Sequence, residues 1–154
     1  MGKRQEKAVE LFQAGYNCSQ AVFGAFADVY GMELEQALRI SCSFGAGMGR
    51  MREVCGAVSG MFMVAGLENG TVEGKDAQGK KENYDTVQEL AKRFKERSGG
   101  SIICKELLGL TEKNVFEDTK PEERTENYYK KRPCVELVRE AAGILEDYLE
   151  AKES

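Results

Sequence analysis

The stretch Asn17-Cys18-Ser19-Gln20-Ala21-Val22-Phe23-Gly24-Ala25-Phe26-Ala27-Asp28-Val29-Tyr30-Gly31 decides the fold class. Cys18, Ala21, Val22, Ala25, Phe26 and Val29 recur at the spacing of one face of an α-helix. Asn17 is a capping residue with Gln20 three positions on, the spacing of a capping box. Gly15 closes the preceding helix and Gly31 closes this one. The final segment repeats the arrangement: Cys134, Leu137, Val138, Ala141, Ile144, Leu145 and Tyr148 form one apolar stripe, so its leading cysteine also faces the core.

Working outward, the pattern predicts a first helix over 6–14, a third from 33 to about 44 and a glycine-rich turn over 44–50. An apolar fourth helix within 54–67 follows, interrupted by glycines and Ser59. A polar loop at 68–80 leads to a charged surface helix over 81–97, whose Tyr84, Val87, Ala91 and Phe94 make a narrow apolar stripe. Ser101 caps a short helix carrying Cys104, and Pro133 suits the first turn of the last one. The polar segment 111–132 holds Pro121 and little periodicity; it reads as a long loop with Tyr128-Tyr129 as its anchor on the bundle. No alternating strand and no internal repeat stands out. The expectation is an all-α, compact single-domain bundle of about six helices spanning 1–154.

With 154 residues, 42% of them hydrophobic, one such domain buries a core without covalent staples. A net charge of -4 gives no electrostatic reason for nucleic acid or an anionic membrane as partner. The apolar run at 54–67 falls short of the ~20 residues of a membrane span. The first residues run straight into a charged helix without an apolar signal core, which sets a cytoplasmic expectation. In a reducing compartment five cysteines read as redox, metal-binding or buried thiols sooner than as a disulfide framework.

Four of the five, Cys18, Cys55, Cys104 and Cys134, fall where helices begin. The free amides and peptide dipoles of a helix start favour a thiolate, the nucleophilic and metal-binding form. Arg50 and Arg52, close to Cys55 in sequence, add to that expectation. Cys42 shares a helix face with Leu34 and Leu38 and reads as core packing. The chain has no histidine, which disfavours Ser-His and Cys-His hydrolase pairs. Gly45-Ala46-Gly47-Met48-Gly49 looks like a nucleotide-binding loop, but a helix precedes it where a Rossmann loop needs a strand. It reads instead as a tight turn onto the fourth helix, giving access to Cys55, with Met48, Met51, Met61 and Met63 as core or pocket lining.

Cys55-Gly56-Ala57-Val58-Ser59-Gly60 matches a CGAxxG motif, with one cysteine upstream and two downstream. The surroundings Tyr16-Asn17-Cys18-Ser19-Gln20-Ala21-Val22, Phe44-Gly45-Ala46-Gly47-Met48-Gly49-Arg50, Cys104-Lys105-Glu106-Leu107-Leu108-Gly109 and Pro133-Cys134 agree. Over almost its whole length the chain resembles the C_GCAxxG_C_C family of redox-active proteins. The resemblance implies a small protein with a redox role and four characteristic cysteines, mapping to Cys18, Cys55, Cys104 and Cys134; it supplies no substrate.

Three readings of those cysteines stand. They are buried thiols alone. They form a reversible disulfide in a thiol oxidoreductase or redox sensor, with Cys55 as the attacking thiol and Gly56 and Gly60 clearing one helix face for a neighbouring helix or a small substrate. Or the same four gather as metal ligands around zinc or an iron–sulfur cluster, although no close CxxC pair is present. Both reactive readings require the four sulfurs to converge. The redox partner or small-molecule substrate and the oligomeric state leave no signature in the chain.

Overall fold

The computed structural model describes residues 2–110 and 119–153, and among these it contains helices and no β-strand. The centre is α2, Cys18–Phe26. Its capping box forms as the sequence requires: Asn17 Oδ1 accepts from the Gln20 amide at 3.0 Å, and Gln20 Oε1 accepts from the Asn17 amide at 3.0 Å. Every residue of α2 except Gln20 is buried. Helices α1 (Lys3–Gln13), α3 (Leu34–Cys42), α4 (Gly56–Asn69) and α8 (Cys134–Glu153) pack around it. The longer α5 (Ala77–Arg97) lies against α4 and α8, while α6 (Cys104–Leu107) and α7 (Glu126–Lys131) are short.

Phe12, Phe26, Met61, Leu90, Phe94, Ile144 and Leu145 are fully enclosed. Each such side chain contributes about 1.5–3 kcal/mol relative to exposure. Helix α4 is apolar all round because Gly56 to Met61, with Val64 and Ala65, are buried, and Phe62 and Met63 are partly buried against the core. No helix among the described residues is long and apolar enough to cross a membrane.

The all-α class holds, with eight α-helices among the described residues where the sequence suggested about six. The additional ones are short. In the expected loop over 111–132, Thr125 accepts from the Tyr128 amide at 3.2 Å and starts α7; residues 111–118 of that loop lie outside the described residues. Helix α5 starts at Ala77, earlier than expected, because Asp76 caps it through the Gly79 amide at 2.8 Å. Its enclosed stripe is Thr86, Leu90 and Phe94, with Tyr84 on the surface.

Two register expectations fail for tertiary reasons. After Phe26 the chain tightens into a 3₁₀ turn, Ala27–Tyr30, before Gly31 closes it at φ 70°. The changed pitch rotates Val29 outward, to 48% exposure. Helix α3 turns its small residues Ala37 and Ser41 inward and leaves Leu34 and Ile40 exposed. Leu34 and Leu38 lean over Gly24 of α2, where an added Cβ would meet them at 3.3 Å. Cys42 follows that rotation and is exposed, so its core-packing assignment does not hold.

Candidate redox site

All four expected cysteines stand at helix starts. Cys18, Cys104 and Cys134 are the first residues of α2, α6 and α8, and Cys55 is the N-cap of α4. Together with Cys42 they line one cavity of about 270 Å³. All five are free thiols.

Three local features bring them together. Val54 and Ile103 form an isolated antiparallel bridge, in which the Cys55 amide donates to Ile102 O at 2.7 Å and the Cys104 amide to Glu53 O at 2.5 Å. The starts of α4 and α6 are thereby tied side by side. The second feature is the pair of motif glycines. A Cβ on Gly56 would collide with Cys18 Sγ, and one on Gly60 would stand 2.9 Å from Val22 Cβ and 3.0 Å from Ser19 O. Both glycines therefore serve the close approach of α4 to α2, and Gly56 seats the α4 start directly on the Cys18 sulfur.

The third is the glycine-rich turn, which no periodicity announced. Gly45–Met48 closes a turn of helical hydrogen bonds, yet φ is positive at five consecutive residues: Ala46 55°, Gly47 72°, Met48 69°, Gly49 62° and Arg50 68°. This is a turn of left-handed conformation, and each non-glycine residue in it costs roughly 1–2 kcal/mol. Gly47 lies against the site, where a Cβ would stand 2.7 Å from Cys104 Cβ and 2.6 Å from Arg52 Cα. The Glu53 amide donates to Gly47 O at 2.9 Å and fixes the turn to the bridge segment.

Helix α7 closes the far side. Tyr129 meets Phe12 edge-on with centroids 6.4 Å apart, and Arg124 lies over the Phe12 ring at 4.0 Å while donating to Phe12 O at 2.7 Å and Tyr16 O at 2.9 Å. The expected anchoring role of Tyr128-Tyr129 is seen, and Tyr128 adds a second one: it lines the cavity with Cys134 and its hydroxyl favours the thiolate there.

Burial reverses the acidity expected of helix starts. Cys55, only 4% exposed, is raised well above the ordinary thiol value by desolvation first and by Cys18 second. The Ala57 and Val58 amides pull the other way without forming a cap bond and do not prevail. Cys104 is also raised by burial, opposed by Arg52, whose Nη1 lies 3.7 Å from its sulfur. The guanidinium expected near Cys55 thus serves Cys104. Cys134 is pushed up to about 12 by burial and by Cys18, with the Tyr128 hydroxyl pulling downward. Of the thiols, Cys18 adds most to the upward push on each of the other three.

Among the described residues no three cysteine, aspartate or glutamate side chains are grouped so as to hold a metal ion. The zinc and iron–sulfur reading of Cys18, Cys55, Cys104 and Cys134 therefore finds no assembled ligand set there. Sequence reasoning did not single out Arg124 or Arg132 at the site. Arg132, which pairs with Glu122 at 2.7 Å, directly precedes the Pro133-Cys134 helix start, and that adjacency was the available signal.

The model of the family described as "Putative redox-active protein (C_GCAxxG_C_C)" matches residues 16–148. The chain belongs to this family. Cys18, Cys55, Cys104 and Cys134 all lie inside the matched segment. No curated protein and no solved structure matches the chain.

Proposed function

We propose that this C_GCAxxG_C_C protein performs thiol–disulfide exchange at the shared cavity, with Cys104 as the attacking thiol and Cys18 as the resolving one. The observation that carries this reading is the contact of Arg52 with Cys104, because a guanidinium beside a thiol favours the nucleophilic thiolate. The greater burial of Cys55, whose thiol is pushed up by desolvation and by Cys18, moves the attacking role away from it.

The co-reactant is a disulfide. Cys104 thiolate attacks one of its sulfurs, the S–S bond breaks, and the departing thiolate takes up a proton. Cys18 loses its proton and attacks the Cys104 sulfur of the mixed disulfide, releasing the second thiol and leaving Cys18 joined to Cys104. The substrate gains two electrons and the protein loses two. A dithiol reductant reverses both steps and restores the free thiols.

Single-turnover reduction of a neutral model disulfide tests the assignment. Cys104→Ser is expected to abolish the fast phase and Cys18→Ser to trap the mixed disulfide, detectable by mass. A fast phase surviving in Cys104→Ser and lost in Cys55→Ser would return the attacking role to Cys55.

A further inference from the structure

Arg52 is only 6% exposed, lines the cavity and has the Cys104 sulfur as its hydrogen-bond partner. Among the described residues it forms no ion pair with a carboxylate. A guanidinium taken out of water is costly to the fold unless an anion answers it. Cys104 does not supply that anion at rest, since burial holds its thiol protonated despite the nearby cation. Across the cavity Arg124 repeats the situation: its partners are two backbone carbonyls and the rings of Phe12 and Tyr128, all uncharged. Glu122, the acid in the described lining, is already engaged with Arg132. Among the described residues, a chain of net charge -4 thus places two arginines, Arg52 and Arg124, at its thiol cavity with no carboxylate paired to either.

We infer that the cavity takes a small carboxylate-bearing disulfide, its carboxylate seated on the Arg52 guanidinium so that its sulfurs lie beside Cys104. The planar fork of arginine matches a carboxylate with paired hydrogen bonds. At about 270 Å³ the cavity falls just below the ~300–1,000 Å³ of small-molecule sites, which favours a compact ligand over a protein segment. The inference rests on the exchange chemistry proposed above for what the ligand's sulfurs do, and on Arg52 and Arg124 alone for what its carboxylate does.

The test separates the two parts. Suberate, which has the shape of dithiodipropionate but no sulfur, is titrated calorimetrically into the reduced protein, its Arg52→Gln and Arg52→Lys variants, with inorganic phosphate in parallel. Suberate is expected to bind, to weaken by about tenfold or more in Arg52→Gln and to recover partly in Arg52→Lys. Failure of suberate to bind, or binding of phosphate alone, overturns the carboxylate site. Oxidation of the wild-type thiols is then timed with anionic dithiodipropionate, neutral hydroxyethyl disulfide and cationic cystamine at equal concentration. The anionic reagent is expected to react fastest; equal rates, or a faster cationic reagent, overturn the inference while leaving thiol exchange standing. Arg52-dependent suberate binding without reaction of any disulfide sustains the carboxylate site and removes the exchange chemistry. The wild-type comparisons decide the matter even if Arg52→Gln does not fold.

Discussion

At the scale of single residues, burial and charge compete at each thiol, and burial prevails at Cys55, Cys104 and Cys134. The sign of the resulting pH dependence follows from Cys134. The unfolded chain releases this proton near pH 8.5, whereas the folded chain keeps it until about 12. Between those values the unfolded state binds fewer protons, so stability is complete below pH 8.5 and falls as pH rises. The loss approaches about 1.4 kcal/mol per pH unit for each such thiol. Urea denaturation at pH 8, 9 and 10 is expected to show a falling midpoint, with a shallower fall in Cys134→Ala; a midpoint that rises with pH contradicts the burial argument. That these cysteines open helices was legible from Asn17 and Pro133; Ser101, the cap expected for the Cys104 helix, instead accepts from the Ile103 amide, and Ile103 is the N-cap. The direction of their acidity was not, because it depends on what closes over them, and that cover comes from residues distant in sequence.

Among the elements, the pairing of α2 with α4 depends on Gly56 and Gly60. Gly60→Ala gains helix propensity of roughly 1 kcal/mol. Against that, its Cβ meets backbone and a β-branched side chain at 3.0 and 2.9 Å, neither of which yields readily. Overpacking of this kind costs about 1–3 kcal/mol, so a net loss of stability is expected by urea titration, with slower or altered thiol oxidation if Cys18 shifts. A stabilised Gly60→Ala would mean the helices stand further apart than described. The capped, strongly periodic helices α2 and α8 were readable from their own residues. Helix α3 was not: its leucines are recruited by Gly24, a gap on another helix, and carry Cys42 outward with them. The tight turn over 44–50 was expected from its glycines, but its left-handed conformation was hidden, since Ala46, Met48 and Arg50 are residue types that seldom adopt positive φ.

For the whole molecule, the cavity gathers residues from positions 12 to 137, so its formation and the fold are one event. A Cys18–Cys104 disulfide would span 86 positions (104 minus 18) and restrict the unfolded chain by about 2–4 kcal/mol. The oxidised protein is therefore expected to show a higher urea midpoint than the reduced one, lost in Cys104→Ser; an unchanged midpoint on loss of two thiols would point to a different pair. That the four cysteines line one cavity agrees with the expectation from their shared position at helix starts, and Arg52 was singled out beside Cys55, whereas Arg124 and Arg132 were not, because the segment that carries them has little periodicity to place it. The run from Ala46 to Arg50 also bears on the stereochemistry of the polypeptide itself. At 55° the φ of Ala46 is one that a mirror-image amino acid prefers and an ordinary one resists. A chain assembled by chemical ligation with D-alanine at position 46 is expected to be more stable than its all-L counterpart by about 1 kcal/mol. The same inversion at Ala57, inside α4, should unfold the helix start. In this protein one short turn is built as though from the opposite enantiomer.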